Sequence, residues 1–177
     1  IARAYLMKSN ELIKIGSNIL KKNNIKSYVL DSELILSSIS GQLRENFLLN
    51  SDSKLHPAQI KLFNNLINRR ALGKEPVAYL LNKKEFWSMN FDIDKGVLIP
   101  RPETEILVDT LVKYYKNRSP FILDIGTGSG CIIIALLQEL KGSKGMAIDI
   151  SNKALKIAKS NSLINDTFNR IKFINSS

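Results

Sequence analysis

The sequence predicts an α/β protein in which an N-terminal helical bundle is followed by a β-hairpin and then by a parallel βαβ unit. Three observations carry the prediction. Apolar residues recur at helical spacing as far as about residue 82, and the period shortens to strand-like alternation near residue 85. From Phe121 onward an apolar run, a glycine-rich turn and a second apolar run of helical length follow one another. With 177 residues, 44% of them hydrophobic, the chain can hold one ordinary domain, or a small domain plus part of a larger one.

Leu12, Ile15 and Ile19 place a first helix over Ser9–Leu20, with Ser9 as its expected N-cap and Lys21-Lys22-Asn23-Asn24 as its end. Leu30, Leu34, Ile35 and Ile39 define a second, stopped by Gly41. A short helix over Arg44–Leu49 follows. Pro57 opens a fourth that carries Ile60, Phe63, Leu66 and Ile67 and is expected to stop at Gly73, with His56 before it as a surface or capping residue. Pro76–Leu81 reads as one more short helix, so residues 1–82 form a helical domain with no strand signal. Residues 83–100 then read as a hairpin linker. Glu85–Ile93 is its first strand, Asp94-Lys95-Gly96 its turn and Val97-Leu98-Ile99 its second strand. Pro102 suits the first turn of a helix running through Ile106, Leu107, Leu111 and Tyr114, and Glu103 and Glu105 would complement the positive end of its dipole. A helix start carrying two prolines with Arg101, Glu103, Thr104 and Glu105 is over-specified for a plain linker, so these four are expected to line a site.

The third part of the chain, residues 101–177, is organised around Phe121–Asp149. Phe121–Ile125 is an apolar strand, Gly126-Thr127-Gly128-Ser129-Gly130 a turn, Cys131–Leu137 a helix, and Gly145–Asp149 the next strand. Glycines at alternate positions allow positive φ and leave no Cβ between backbone and ligand, and the helix that follows begins with free N–H groups. Asp149 stands about 20 residues past the last glycine, where such folds place a carboxylate that accepts both hydrogen bonds of a ribose diol. A dinucleotide fingerprint would need its third glycine at the position of Cys131, and no Gly-Lys-Ser/Thr tripeptide of a phosphate-gripping loop occurs. The remaining pattern, Asp-x-Gly-x-Gly-x-Gly, resembles motif I of S-adenosylmethionine-dependent methyltransferases. Beyond it Ser151 caps a helix carrying Ala154, Leu155, Ile157 and Ala158, and Arg170–Asn175 reads as a third strand.

Composition narrows the alternatives. The single cysteine excludes an internal disulfide, and one histidine with one cysteine argues against structural zinc, so no metal site is expected. The longest apolar run, Cys131–Leu137, is far short of a membrane span, and no segment reads as a secretory leader; a reducing cytoplasm is the expected compartment. Of the net charge of +10, residues 1–90 carry most, with 14 basic and 7 acidic side chains against 12 and 9 in residues 91–177. That asymmetry suits an acidic or nucleic-acid-bearing partner on the N-terminal half, although the basic residues are scattered.

Three stretches together resemble the HemK/PrmC family of release-factor glutamine methyltransferases: Pro76-Val77-Ala78-Tyr79-Leu80 with Glu85-Phe86-Trp87, Gly96-Val97-Leu98-Ile99-Pro100-Arg101-Pro102-Glu103-Thr104-Glu105, and Leu123-Asp124-Ile125-Gly126-Thr127-Gly128-Ser129-Gly130. The resemblance covers essentially the whole chain. It implies a helical domain that recognises a protein substrate, a hairpin linker, and the first part of a Rossmann-like class I methyltransferase domain. It further implies S-adenosylmethionine as cofactor and, as substrate, the glutamine of the Gly-Gly-Gln motif in class-I peptide-chain release factors; a monomer is expected separately. Carried over by position, Gly126, Thr127, Gly128, Ser129 and Gly130 line the methionine and ribose part of the cofactor, Asp149 holds the ribose hydroxyls, and Asp124 orients the turn. Asn82 stands where the family usually has glycine, and asparagine tolerates the left-handed backbone a turn there needs. The family's Asn-Pro-Pro-Tyr motif does not occur before Ser177, so no residue of this chain is assigned as catalytic. A full sheet of this type has more strands than the three legible here. The expectation is therefore a partial domain, inactive by itself, with Phe121–Ile125 as a bare apolar edge. Two other readings stay open: an amine methyltransferase acting on transfer RNA or another RNA, and a non-catalytic binding module.

Overall fold

The computed structural model describes residues 7–49 and 53–176 and divides into two compact units, Ile1–Leu81 and Asn82–Ser177. The first unit holds helices α1 (Ser9–Lys22), α2 (Tyr28–Ser40), α3 (Arg44–Leu49), α4 (Pro57–Gly73) and α5 (Val77–Leu81). Their apolar faces converge on Leu12, Leu20, Ile35, Leu36, Phe63 and Ile67, each at most 1% exposed. Contact between α1, α2 and α4 is close because Gly16 has no side chain. A Cβ there would lie 2.6 Å from both Phe63 Cζ and Ser32 Oγ. A part-buried ion pair, Arg70 Nε to Asp31 Oδ2 at 2.7 Å, ties α4 to α2.

Three sequence expectations change in this unit. It does contain strands: β1 (Met7–Lys8) pairs antiparallel with β2 (Lys54–Leu55), a bridge too short to show any alternation in sequence. Ser9 is not the N-cap of α1; Lys8 holds that place with no side-chain cap bond, and buried Ser9 instead donates its backbone N–H to Ser53 O at 3.0 Å. The left-handed residue ending α4 is Lys74 (φ 52°), one position beyond Gly73. His56 does precede α4, with its backbone N–H donating to Gln59 Oε1 at 3.0 Å.

In the second unit β3 (Lys83–Phe86) and β4 (Met89–Asp92) form the hairpin, with Phe86 opposite Met89 and Lys83 opposite Asp92. The predicted hairpin was out of place by half its length. Its turn is Trp87-Ser88, both left-handed (φ 53° and 54°), as a two-residue type I′ connection requires, and Val97–Ile99 form no strand. Packing explains the choice, since this register puts Phe86 and Phe91 edge-to-face with ring centroids 6.1 Å apart and both rings buried. Asp94-Lys95-Gly96 is still a turn, closed by Val97 N–H to Asp94 O at 3.1 Å. Asn82, at φ 53°, takes the left-handed backbone expected of it. The hairpin is also no free linker. The backbone N–H and C=O of Asp92 both bond the side-chain amide of Asn161 in the same unit.

Helix α6 (Thr104–Tyr114) begins two residues later than Pro102, after a tight lead-in in which the amides of Thr104 and Glu105 donate to the carbonyls of Arg101 and Pro102. Then come β5 (Phe121–Ile125), α7 (Cys131–Glu139), β6 (Lys144–Asp149), α8 (Asn152–Ile164), a 3-10 turn at Phe168–Arg170, and β7 (Ile171–Asn175). The three strands are parallel in the order β5-β6-β7, a Rossmann-like βαβαβ layer. Helices α7 and α8 pack on each other over one face of it. On β5 the residues of the other face are open, with Phe121 at 67%, Leu123 at 54% and Ile125 at 75% exposure. Among the described residues no helix is long and apolar enough to cross a membrane.

Candidate functional site

The glycine turn joins the end of β5 to the start of α7, and β6 ends beside it. Gly126 and Thr127 both donate their backbone N–H to Ile148 O, at 2.8 and 3.0 Å, which ties the turn to the neighbouring strand. Gly130 N–H closes the turn on Thr127 O at 2.8 Å. All three glycines are left-handed, with φ of 74°, 55° and 80°. They differ in what lies in front of them. A Cβ on Gly126 would meet nothing within 4 Å and one on Gly128 only Gly126 O at 3.9 Å, whereas one on Gly130 would press on Ile134 Cδ1 at 3.0 Å and Ala158 Cβ at 3.2 Å. The first two glycines therefore open onto free space, and the third lets α7 and α8 close together behind the turn.

Two carboxylates flank this turn. Asp149 Oδ2 accepts from Gly128 N–H at 2.9 Å and Oδ1 from Ser151 N–H at 2.9 Å. Asp124 Oδ2 accepts from the Thr127 hydroxyl at 2.7 Å. Burial raises the Asp124 carboxyl above the usual carboxylate range, the Thr127 bond opposes that rise, and the negative charge of Asp149 adds a little to it. Burial likewise pushes the Cys131 thiol up, which suits a packing residue at the head of α7 and not a nucleophile. Ser151 caps α8 as its position predicts, accepting from Ala154 N–H at 3.2 Å.

The structure thus brings Asp124, the Gly126–Gly130 turn and Asp149 together. The second expected group behaves differently. Glu105 Oε1 accepts the backbone N–H of Trp87 at 2.7 Å, and with Glu85, Ser88 and Glu139 it lines a cavity of roughly 470 Å³ around that indole. Arg101 and Glu103 are exposed at the lead-in to α6 and Thr104 is half-buried. Among the described residues no hydrogen bond joins any of these four to the glycine turn. Glu103 at the N-cap and Glu105 in the first turn of α6 do stand where acids complement the helix dipole, and Glu105 serves the hairpin turn as well.

A residue that motif reading passed over lies behind the turn. Asn161 is completely buried in α8, and its amide donates to Ser129 O at 2.9 Å. A signal was available. The buried positions of α8 are Ala154, Leu155, Ala158, Asn161 and Ser162, so an asparagine occupies a place that the helical period reserves for an apolar side chain.

Comparison with known proteins agrees with this layout. Residues 11–81 match the PrmC N-terminal domain family, and residues 101–177 match the family described as ribosomal protein L11 methyltransferase (PrmA). A bifunctional methyltransferase of Rickettsia prowazekii is 35% identical over 94% of this chain and 36% of its own length. Release factor glutamine methyltransferases of Buchnera aphidicola subsp. Acyrthosiphon pisum and Caulobacter vibrioides are 41% and 37% identical over 83% and 80% of this chain, and over 53% and 49% of theirs. The chain spans about half or less of the length of these relatives. The helical half thus matches the PrmC N-terminal domain family and the glycine-turn half a methyltransferase family, and over most of its length the chain is similar to bifunctional methyltransferases and release factor glutamine methyltransferases.

Proposed function

We propose that this chain carries the methyl-donor turn and the substrate-recognition helices of an S-adenosylmethionine-dependent methyltransferase. Its substrate is the side-chain amide of the glutamine in the Gly-Gly-Gln motif of class-I peptide-chain release factors, which makes the cytoplasm its compartment. The observation that carries the reading is the bond from Gly128 N–H to Asp149, because it brings the acid at the end of β6 against the open part of the glycine turn. The substrate class is supported by the relatives named release factor glutamine methyltransferase.

The residues present fit the cofactor. The space before Gly126 and Gly128 is open, and the Asp149 carboxylate has acceptor capacity left after the two amides it already serves. Gly126, Thr127, Gly128, Ser129 and Gly130 would hold the methionine and ribose part, Asp149 the ribose hydroxyls, and Asp124 keeps Thr127 in place through its hydroxyl. Once bound, S-adenosylmethionine supplies an electrophilic methyl group on a sulfonium. An amide nitrogen is a weak nucleophile because its lone pair is delocalised into the carbonyl, so the protein's task is alignment in a water-poor site. The turn does the donor's half of that alignment. Arg101, Glu103 and Thr104 would meet the substrate, and Glu105 holds the hairpin turn.

The test offers the full-length protein labelled S-adenosylmethionine with a release factor, with the same factor carrying alanine for the Gly-Gly-Gln glutamine, and with bulk transfer RNA. Label on the unaltered factor alone is the expected result. Label on the RNA with none on the factor would replace the substrate and leave the cofactor site. Failure to bind S-adenosylmethionine in equilibrium dialysis would favour a binding module that transfers nothing.

A further inference from the structure

Strand β4 pairs with β3 along one edge only. Its other edge, which should present unpaired N–H and C=O groups, meets two asparagines spaced one helical turn apart at the end of α8. Asn161 Oδ1 accepts from Asp92 N–H at 2.7 Å and its Nδ2 donates to Asp92 O at 2.9 Å. Asn165 Nδ2 donates to Asn90 O at 3.2 Å. Asn90 and Asp92 are two residues apart in the strand, so both turn their backbone groups the same way. The helix thus supplies, with side-chain amides, the hydrogen bonds that a further strand would make.

Asn161 goes one step further than edge protection. The same Nδ2 that serves Asp92 also donates to Ser129 O at 2.9 Å, inside the glycine turn. The orientation of this amide is unambiguous, because a backbone N–H can only donate to Oδ1 and the two carbonyls can only accept from Nδ2. At full burial none of the three bonds can be replaced by water without opening the structure. The peptide after Ser129 is held from both sides, its carbonyl by Asn161 and its N–H, on Gly130, by Thr127 O.

We infer that Asn161 is a positioning residue for the methyl-donor turn, fixing its shape through the Ser129 carbonyl and coupling it to the hairpin strand β4. The inference rests on the cofactor reading above in one respect, the ligand that the turn holds; the clamp itself is independent of any ligand.

Two variants and two readouts test it on the full chain. Asn161→Asp keeps the shape but turns an oxygen toward both carbonyls, and Asn161→Leu keeps the volume and offers neither donor nor acceptor. The first readout is amide hydrogen exchange without ligand. Both variants should speed exchange at Gly130, and Asn161→Leu, which removes the acceptor of the Asp92 N–H, should also speed exchange at Asp92, while the α1–α4 core stays unchanged. The second is affinity for S-adenosylhomocysteine at a temperature where wild type and variants are all folded by circular dichroism. Both variants should bind roughly 10- to 100-fold more weakly, the scale expected when a buried carbonyl loses its partner. A purely structural role would lower the melting midpoint yet leave that affinity alone, and this outcome overturns the inference. So would unchanged exchange at Gly130. Failure of the wild type itself to bind, with exchange altered in the variants, would remove the cofactor reading and leave the clamp.

Discussion

Two turns in the second unit ask for the same unusual backbone and obtain it from different residues. The turn from β5 to α7 uses three glycines, for which positive φ costs little, and it stands open to solvent on the side of Asp149. The hairpin turn uses Trp87 and Ser88, which pay for φ near 54° with roughly 1–2 kcal/mol each. That cost is offset by bonds that only this geometry makes, from Trp87 N–H to Glu105 and from the indole N–H to Glu139 at 2.8 Å. At Gly126 and Gly128 glycine marks the place where the backbone must stay uncovered, and at Gly130 the place where two helices close together. Bulkier residues serve where side chains can hold the strain.

The largest test of this contrast is Gly130→Ala. It adds a Cβ within 3.2 Å of Ala158 in a left-handed position, and it should destabilise the second unit by roughly 2–4 kcal/mol in urea unfolding, as strain and overpacking combine. Gly128→Ala meets open space, so it should cost only about 1–2 kcal/mol of stability. Its affinity for S-adenosylhomocysteine should nonetheless fall by at least tenfold, because the new methyl group occupies the ligand's side of the turn. Equal affinity in a folded Gly128→Ala protein would mean that this face holds no ligand.

The opposite change sharpens the other side. Ser88→Gly relieves one strained residue without touching the Trp87 contacts, and after glycine's own entropy cost it should raise stability by roughly 0.5–1 kcal/mol. A loss would show that Ser88 contributes more than backbone shape. The smallest effect concerns Asp124. Because its carboxyl is raised by burial, the folded protein keeps that proton over an interval in which the unfolded chain has lost it. Stability therefore declines as pH rises from the ordinary value of 3.8 through the raised one, and levels off above it. Asp124→Asn should abolish that decline, seen as a urea midpoint that gains on the wild type across the interval. Asp94 has the reverse sign. Its carboxyl is lowered chiefly by the Gly96 N–H, so its contribution is lost as pH falls, and its exposure keeps that contribution small.

These two turns also mark how far the sequence could be read. The glycine turn, both parallel crossovers, the Ser151 cap and the acid at Asp149 were legible, because each rests on a local rule that no distant contact overrides here. The hairpin was misplaced because Asp94-Lys95-Gly96 carries better turn residues than Trp87-Ser88. What decided the register was the meeting of Phe86 with Phe91, a tertiary preference that no window reveals. Asn161 was missed for a related reason. Its partners, Ser129 and Asp92, lie 32 and 69 positions away, and only the helical period of α8 hinted that a polar side chain was buried there. Glu105 is expected from sequence to line a site with Arg101, Glu103 and Thr104, and its neighbour in space is the hairpin.

Trp87 has one more consequence. It is the only tryptophan in the chain, and its ring is tethered to Glu139 at the end of α7 while its backbone forms the hairpin turn. Intrinsic fluorescence excited selectively at the indole is therefore a built-in optical gauge of whether the hairpin is seated, and it is silent on the α1–α5 helices. A red-shifted emission that precedes the loss of far-ultraviolet ellipticity would time the detachment of that ribbon as a separate, earlier event.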